Sequence, residues 1–195
     1  MAQLQKKYLS KLKTELVTYA SKRREIIKLS DDALHHAKRA IFAMHRDDMK
    51  EAKLKLAESE RLLKEVGKQF GKDKRAFDEG AYKAGLEEYV EATLLHQFLT
   101  TGVIAEIKNI SIEAETYIGG LCDVPGELYR YAIKSATQRD IPMLKKCSVM
   151  AQEIIGELIE FNLTSYLRTK FDQAKSAVQK LEQVVYEVSL REAGK

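Results

Sequence analysis

The sequence contains few residues that interrupt helices, with two prolines and ten glycines among 195 residues. Valine, isoleucine, threonine and the aromatic residues are scattered and form none of the alternating runs that are typical of strands. Hydrophobic residues make up 45% and charged residues 32%, as in a soluble globular protein. We therefore expect an all-helical protein, and 195 residues are enough to bury a substantial core.

Cysteine is also scarce, and so are long apolar runs. Cys122 and Cys147 form neither a CxxC motif nor a Cys/His cluster, which argues against a zinc site and favours two reduced thiols. No run approaches the roughly 20 apolar residues that cross a bilayer. The first residues, MAQLQKKYLSKLK, lack the apolar segment of a signal peptide. We expect a cytoplasmic protein without membrane contact.

A strong net charge is likewise missing. The formal charge is +4, and lysines alternate with glutamates in a way that is typical of solvated helix faces. Charge alone therefore does not indicate a nucleic-acid partner.

Apolar residues follow the helical period, as Ala33, Ala37, Ile41 and Met44 do. No repeat and no Pro/Gly/Ser-rich linker divides the chain, so we expect one helical domain over residues 1–195. Asp140-Ile141-Pro142 fits a helix start, whereas Ser30-Asp31-Asp32 either caps a new helix or lies inside a long one. The predicted helices are one at about 3–45, a second ending near Gly71, a third at 74–99, a fourth at 113–137, a fifth at 140–163 and a last at 167–191. The fourth is expected to be interrupted or bent near Gly119-Gly120 and Pro125-Gly126. Residues 103–112 are predicted to form a connector with at most one short helical turn.

Acidic residues stand in two segments that are otherwise apolar. Glu91 is the only formally charged residue between Glu88 and Glu106, and Glu88 and Glu91 are three positions apart on one helix face. Asp123 is the only charged residue between Glu115 and Glu127. A carboxylate buried in such surroundings needs a partner.

If the two faces meet, Glu88, Glu91, Asp123 and Glu127 converge, and they repel one another unless they hold a cation or a proton. Oxygen ligands favour Mg²⁺ or Mn²⁺. Three alternatives stay open: Glu88 is a solvated acid beside Glu87, Asp123 caps a helix that begins near Pro125, or the acids pair with Arg130 or a lysine.

Several segments resemble the translin–Trax family, and in particular its catalytic Trax-type subunit. The E-Y-V-E core and the D-x-x-G-E spacing are the most specific features, because plain translins generally lack these acids. The similar segments are REIIKLSDDALHHAKRAIFAMHR (24–46), EEYVEATLLHQF (87–98), GGLCDVPGELYRYAIKSATQRD (119–140) and LEQVVYEVSLRE (181–192).

The resemblance implies a fold of six or seven long antiparallel helices that assembles into a hollow oligomer, an octamer. It also implies Mg²⁺-dependent cleavage of single-stranded RNA by an endoribonuclease, with single-stranded DNA as a second ligand and a translin-like chain as a partner subunit. Glu88, Glu91 and Asp123 match the catalytic acids, and Glu127 matches a fourth acid beside them. The chain departs from the family at Pro125, and around Lys83 it lacks the family's basic and histidine residues.

RNA-binding residues are therefore sought elsewhere. Five basic residues lie along the first predicted helix, and we predict that some of them contact phosphates; the alternative is a solvated basic face. They are Arg23, Arg24, Lys28, Lys38 and Arg39.

Two other functions compete with a nuclease. One is a nucleic-acid-binding oligomer without catalysis, in which the acids are structural. The other is a ferritin-like di-iron bundle, which is disfavoured because His96 follows Glu91 by five positions and no Glu-x-x-His motif occurs.

Overall fold

The structure, a computed structural model, describes residues 4–73 and 75–193. Within these residues there are seven helices and no strand, which confirms the all-helical prediction. None of the helices in this part is long and apolar enough to cross a membrane. The helices are α1 (Lys6–His45), α2 (Met49–Phe70), α3 (Arg75–Asp78), α4 (Gly80–Thr101), α5 (Ala114–Thr137), α6 (Ile141–Ile159) and α7 (Ser165–Ala193).

Helix boundaries agree with the predictions at most ends. Ser30 lies buried inside α1, so the long-helix alternative is correct. Asp140 caps α6 as predicted, accepting a hydrogen bond from the Met143 backbone N–H at 3.0 Å. Residues 103–112 form a connector without a helical turn.

Two boundary predictions were wrong, and of the two alternatives at Pro125, interruption or bending, the interruption is excluded. The predicted third helix is divided into α3 and α4 at Glu79, whose backbone is extended and whose carboxylate accepts hydrogen bonds from Tyr19 and Arg23 of α1. The fifth ends at Ile159 rather than near residue 163. Pro125 does not interrupt α5, although it has no N–H to donate to the Leu121 carbonyl. Contacts of α5 with α4, α6 and α7 offset this loss.

The helices form two groups of three long helices each. In the first group α1 packs against α2 and α4, and in the second α5 packs against α6 and α7. Short links make chain neighbours within each group antiparallel. The groups meet where α4 packs against α5.

At this contact α4 and α5 run in the same direction, since Thr116 lies near Lys83 while Gly120, further along, lies against Val90. The connector 102–113 therefore has to return along the molecule, and its Ile104, Ile107, Ile110 and Ile112 pack on the core as it does so. We call the contact between α4 and α5 the central seam.

Candidate functional site

All four predicted acids lie at the central seam. Helix α4 carries Glu88 and Glu91, and α5 carries Asp123 and Glu127. Because α5 is continuous through Pro125, Asp123 and Glu127 are one helical turn apart on one face. The two acid pairs therefore face each other across the seam, so the convergence that the sequence left open does occur.

Glu91 is the most deeply buried of these acids, with only 8% of its surface exposed. Burial, followed by the negative charges of Glu88, Asp123 and Glu127, raises the pKa of Glu91 to about 9. Among the described residues no basic side chain forms an ion pair with it, in contrast to the other three acids. Within the part of the chain that the structure describes, Glu91 is thus the one acid of the four without an ion-pair partner, and the charge of Lys170 opposes the rise in its pKa only in part.

Glu88 lies beside it, with α1 on its other side. Burial raises the pKa of Glu88, and the Lys38 ammonium, 3.7 Å from its Oε2, opposes that shift. The charges of Asp123 and Glu127 raise it further. Glu88 is therefore not the solvated companion of Glu87 that the sequence left open.

Asp123 faces α7, where it forms an ion pair with Lys170. Burial raises the pKa of Asp123, while the hydrogen bond from Lys170 lowers it in part. The same ammonium lies 2.7 Å from Oε1 of Glu87. Although burial alone lowers the pKa of Lys170, its hydrogen bonds to Asp123 and Glu87 outweigh that effect and raise it. Lys170 therefore stays charged.

Glu127 is held from α1 and from its own helix. His45 Nε2 forms a hydrogen bond with Oε2 of Glu127, and Arg130 lies 3.7 Å from the same oxygen. The proposed cap of a helix starting near Pro125 is wrong, because α5 begins at Ala114. Pairing of the acids with Arg130 and with a lysine does occur, and it occurs alongside their convergence.

The donor set suits a hard cation. Four carboxylates share one partly desolvated region, and their mutual repulsion favours any bound positive charge. In the residues that the structure describes, no three His, Cys, Asp or Glu side chains are already arranged to hold a metal ion. Lys170 and His45 occupy oxygens of Asp123 and Glu127, so these contacts must loosen before all four acids share an ion.

A cleft of about 240 Å³ adjoins the acids at Glu87. Lys83 and Thr116 line it, and Tyr166 donates a hydrogen bond to Oε1 of Glu87 at 2.7 Å. The cleft lies at the N-terminal end of the seam, and Glu88, Glu91 and Asp123 are not among the described residues that line it.

The five basic residues predicted to contact RNA are all exposed on α1. Arg23 pairs with Glu79 at 3.0 Å, Lys38 with Glu88 at 3.7 Å and Arg39 with Glu51 at 3.4 Å. Among the described residues Arg24 and Lys28 form no ion pair, which leaves them open to phosphate. Of the five, Lys38 lies directly beside the acids, through its ion pair with Glu88.

Sequence reasoning offered Arg130 or a lysine as partners of the acids, but it identified neither Lys170 nor His45. Lys170 lies 47 residues from Asp123 and His45 lies 82 from Glu127, so no local spacing indicates either pairing. The sequence indicates no role for Glu87 beyond its position beside Glu88. In the repeating apolar pattern of α7, nothing in the sequence distinguishes Lys170 from the other lysines of that helix.

The model of the Translin family matches residues 21–192, nearly the whole chain. The chain belongs to this family. Its relatives include the translin-associated protein X homolog of Schizosaccharomyces pombe (strain 972 / ATCC 24843), which is 27% identical, with the match covering 89% of this chain and 84% of that protein. Translin-associated protein X of Rattus norvegicus is 26% identical over 91% of this chain and 76% of its own length.

A solved structure shares the fold of this translin-family chain. AfC3PO, in its complex with duplex RNA, matches with a TM-score of 0.85 and 21% identity over 96% of this chain and 100% of that one. The family model and the two relatives confirm the recognition of the family from four sequence segments.

Proposed function

We propose that this chain is a Mg²⁺-dependent endoribonuclease that acts on single-stranded RNA. The observation that carries the proposal is the meeting of two acid pairs at the central seam. Glu91 is buried beside the three other acids and, among the described residues, forms no ion pair with a basic side chain. Such an arrangement destabilises the fold unless a cation or a proton compensates it. Membership of the translin family and similarity to translin-associated protein X proteins support a role on nucleic acid.

Glu88, Glu91, Asp123 and Glu127 would hold Mg²⁺, with Mn²⁺ as a substitute of similar ligand preference. The bound ion would supply an activated water and neutralise the charge that develops on the scissile phosphate.

The protein's own residues hold the acids and the RNA. Burial between α4 and α5 keeps bulk water from screening the charges of the carboxylates. Lys38 orients Glu88, and Arg24 and Lys28 on the same face are free to contact phosphates. Contacts to phosphate carry no sequence information, so we expect weak sequence preference.

The active form we propose is a homo-octamer, and a mixed oligomer with a translin-like partner subunit is the alternative assembly. AfC3PO has been solved with duplex RNA, which supports RNA as the ligand of this fold. We assign single-stranded RNA as the substrate and single-stranded DNA as a second ligand.

Cleavage of labelled single-stranded RNA by the full-length protein, with Mg²⁺ or with EDTA, tests the proposal. We expect cleavage with Mg²⁺ only, and a loss of about 100-fold or more in the Glu91→Gln variant, because one ligand charge is removed. Glu153→Gln on α6 is the matched control, since Glu153 is exposed and far from the seam in sequence, and it should cut RNA at the wild-type rate.

Wild-type protein that binds RNA but never cuts it with Mg²⁺ or Mn²⁺ would favour the non-catalytic oligomer. Binding in EDTA should weaken steeply as salt rises, since phosphate contacts release counterions. Iron retained through purification would instead revive the di-iron alternative.

A further inference from the structure

Lys170 lies where a positive charge compensates the acids from the side of α7. Its ammonium lies between Glu87 of α4 and Asp123 of α5, bonded to both, and 12% of its side chain is exposed. One lysine of α7 thus joins both helices of the central seam.

The surroundings of Glu87 are adapted to this contact. Tyr166, one turn before Lys170 on α7, donates a hydrogen bond to the same Glu87 oxygen. Gly119 on α5 leaves the space that the Glu87 carboxylate occupies, because a Cβ at position 119 would overlap that carboxylate. Three helices therefore fix Glu87 and Lys170 against each other.

A buried ammonium is stable only with close partners, and a buried acid cluster only with close positive charge. Lys170 satisfies both conditions at once. A divalent ion held by Asp123 would need the same carboxylate and would be repelled by the ammonium a few ångströms away.

We propose that Lys170 is a built-in counter-cation of the acid cluster, which keeps the seam folded before a divalent ion binds and competes with that ion for Asp123. This inference rests on the proposed function, because it concerns the same four acids. Lys170 acts through Asp123 and Glu87 and is a positioning residue. By competing for Asp123, Lys170 lowers the affinity of the acids for the divalent ion. A bound ion can therefore be released again.

The test replaces Lys170 with methionine, which keeps the length of the side chain and removes its charge. In EDTA the melting temperature of Lys170→Met should fall below that of the wild type, since the repulsion between Glu87 and Asp123 is no longer compensated. Calorimetric titration with MgCl₂ without RNA should show affinity about tenfold tighter than wild type, because a like charge near the ion is gone. Added Mg²⁺ should therefore reduce the difference in melting temperature between Lys170→Met and the wild type.

Lys180→Met is the matched control, because Lys180 lies on the same helix and is exposed; it should change neither the melting temperature nor the Mg²⁺ affinity. A second variant combines Glu87→Gln with Lys170→Met and so removes both charges of the Glu87–Lys170 ion pair. It should fold in EDTA even if Lys170→Met does not, because the repulsion between Glu87 and Asp123 is removed as well. It too should bind Mg²⁺ more tightly than the wild type.

The outcomes separate the two proposals. If the wild type binds Mg²⁺ and both variants bind it equally or more weakly, Lys170 is only structural and this inference is overturned while the proposed function stands. If the wild type binds neither Mg²⁺ nor Mn²⁺, both proposals fail together. Tighter binding in both variants, with the control unchanged, supports the counter-cation.

Discussion

At the scale of single residues, Glu91 differs from the other three acids. Glu88 has Lys38, Asp123 has Lys170 and Glu127 has His45, but among the described residues Glu91 has no ion-pair partner. The charge of Lys170 opposes only part of the rise in the pKa of Glu91. An amide at position 91 should therefore affect stability differently from an amide at position 123. The amide at position 123 would leave the Lys170 ammonium with one charged partner fewer.

Replacing Glu91 by glutamine should stabilise the metal-free protein at alkaline pH. The pKa of Glu91 rises from its ordinary 4.5 to about 9 on folding, so the unfolded chain loses this proton first and wild-type stability falls as pH rises between those values. A gain of about 2 kcal/mol would raise Tm by roughly 4–8 °C for a chain of this size. Thermal melts in EDTA at pH 5 and pH 8 measure the effect.

The Tm difference between Glu91→Gln and the wild type should be small at pH 5 and large at pH 8, and Mg²⁺ should reduce it by stabilising the wild type. A variant that melts lower than the wild type at pH 8 would mean that Glu91 is structural.

At the scale of helices, the central seam depends on a close approach of α4 and α5. Gly120 has no side chain, and a Cβ there would lie 2.8 Å from the Glu87 carbonyl oxygen and 2.7 Å from Cγ1 of Val90. Both neighbours are anchored, one as backbone and the other as a fully buried side chain. The acids of the two helices meet because this position is a glycine.

Gly120→Ala should therefore destabilise the protein by about 1–3 kcal/mol, as overpacking does. Gly156→Ala on α6 is the matched control, because nothing lies within 4 Å of a Cβ there and alanine favours the helix. Denaturant unfolding should move the two midpoints in opposite directions. Equal shifts would show that the seam tolerates a wider spacing than the structure has.

At the scale of the whole molecule, two groups of three helices leave apolar side chains exposed at the ends of the longest helices. On α1 these include Leu9, Leu16 and Val17, and on α7 Tyr186 and Leu190. Exposed apolar surface of this kind marks contacts between chains, and closed symmetry covers such surfaces in every copy.

We therefore expect the purified chain to self-associate, with a mass near eight times the 22.2 kDa of one chain. Multi-angle light scattering across a wide concentration range measures that mass. A monomer at every concentration would contradict the proposed assembly, and a stable dimer or tetramer would replace the octamer with a smaller closed form.

The sequence by itself determined the helical fold and the placement of the four acids in two pairs, each on one helix face. Few prolines and a regular helical period exclude sheets, and the spacing of Glu88 from Glu91 and of Asp123 from Glu127 places each pair on one face. These are local properties, set by 3.6 residues per turn and visible within a dozen residues.

Only the tertiary structure decided which charges neighbour the acids and how the two faces meet. The partners Lys170 and His45 come from helices far along the chain, and the parallel course of α4 and α5 follows from a connector that returns along the molecule. The division between α3 and α4 at Glu79 likewise depends on distant residues, because Tyr19 and Arg23 of α1 donate hydrogen bonds to the Glu79 carboxylate. Such contacts form when folding brings distant segments together, so they are set by the packing of whole helices rather than by spacing along the chain.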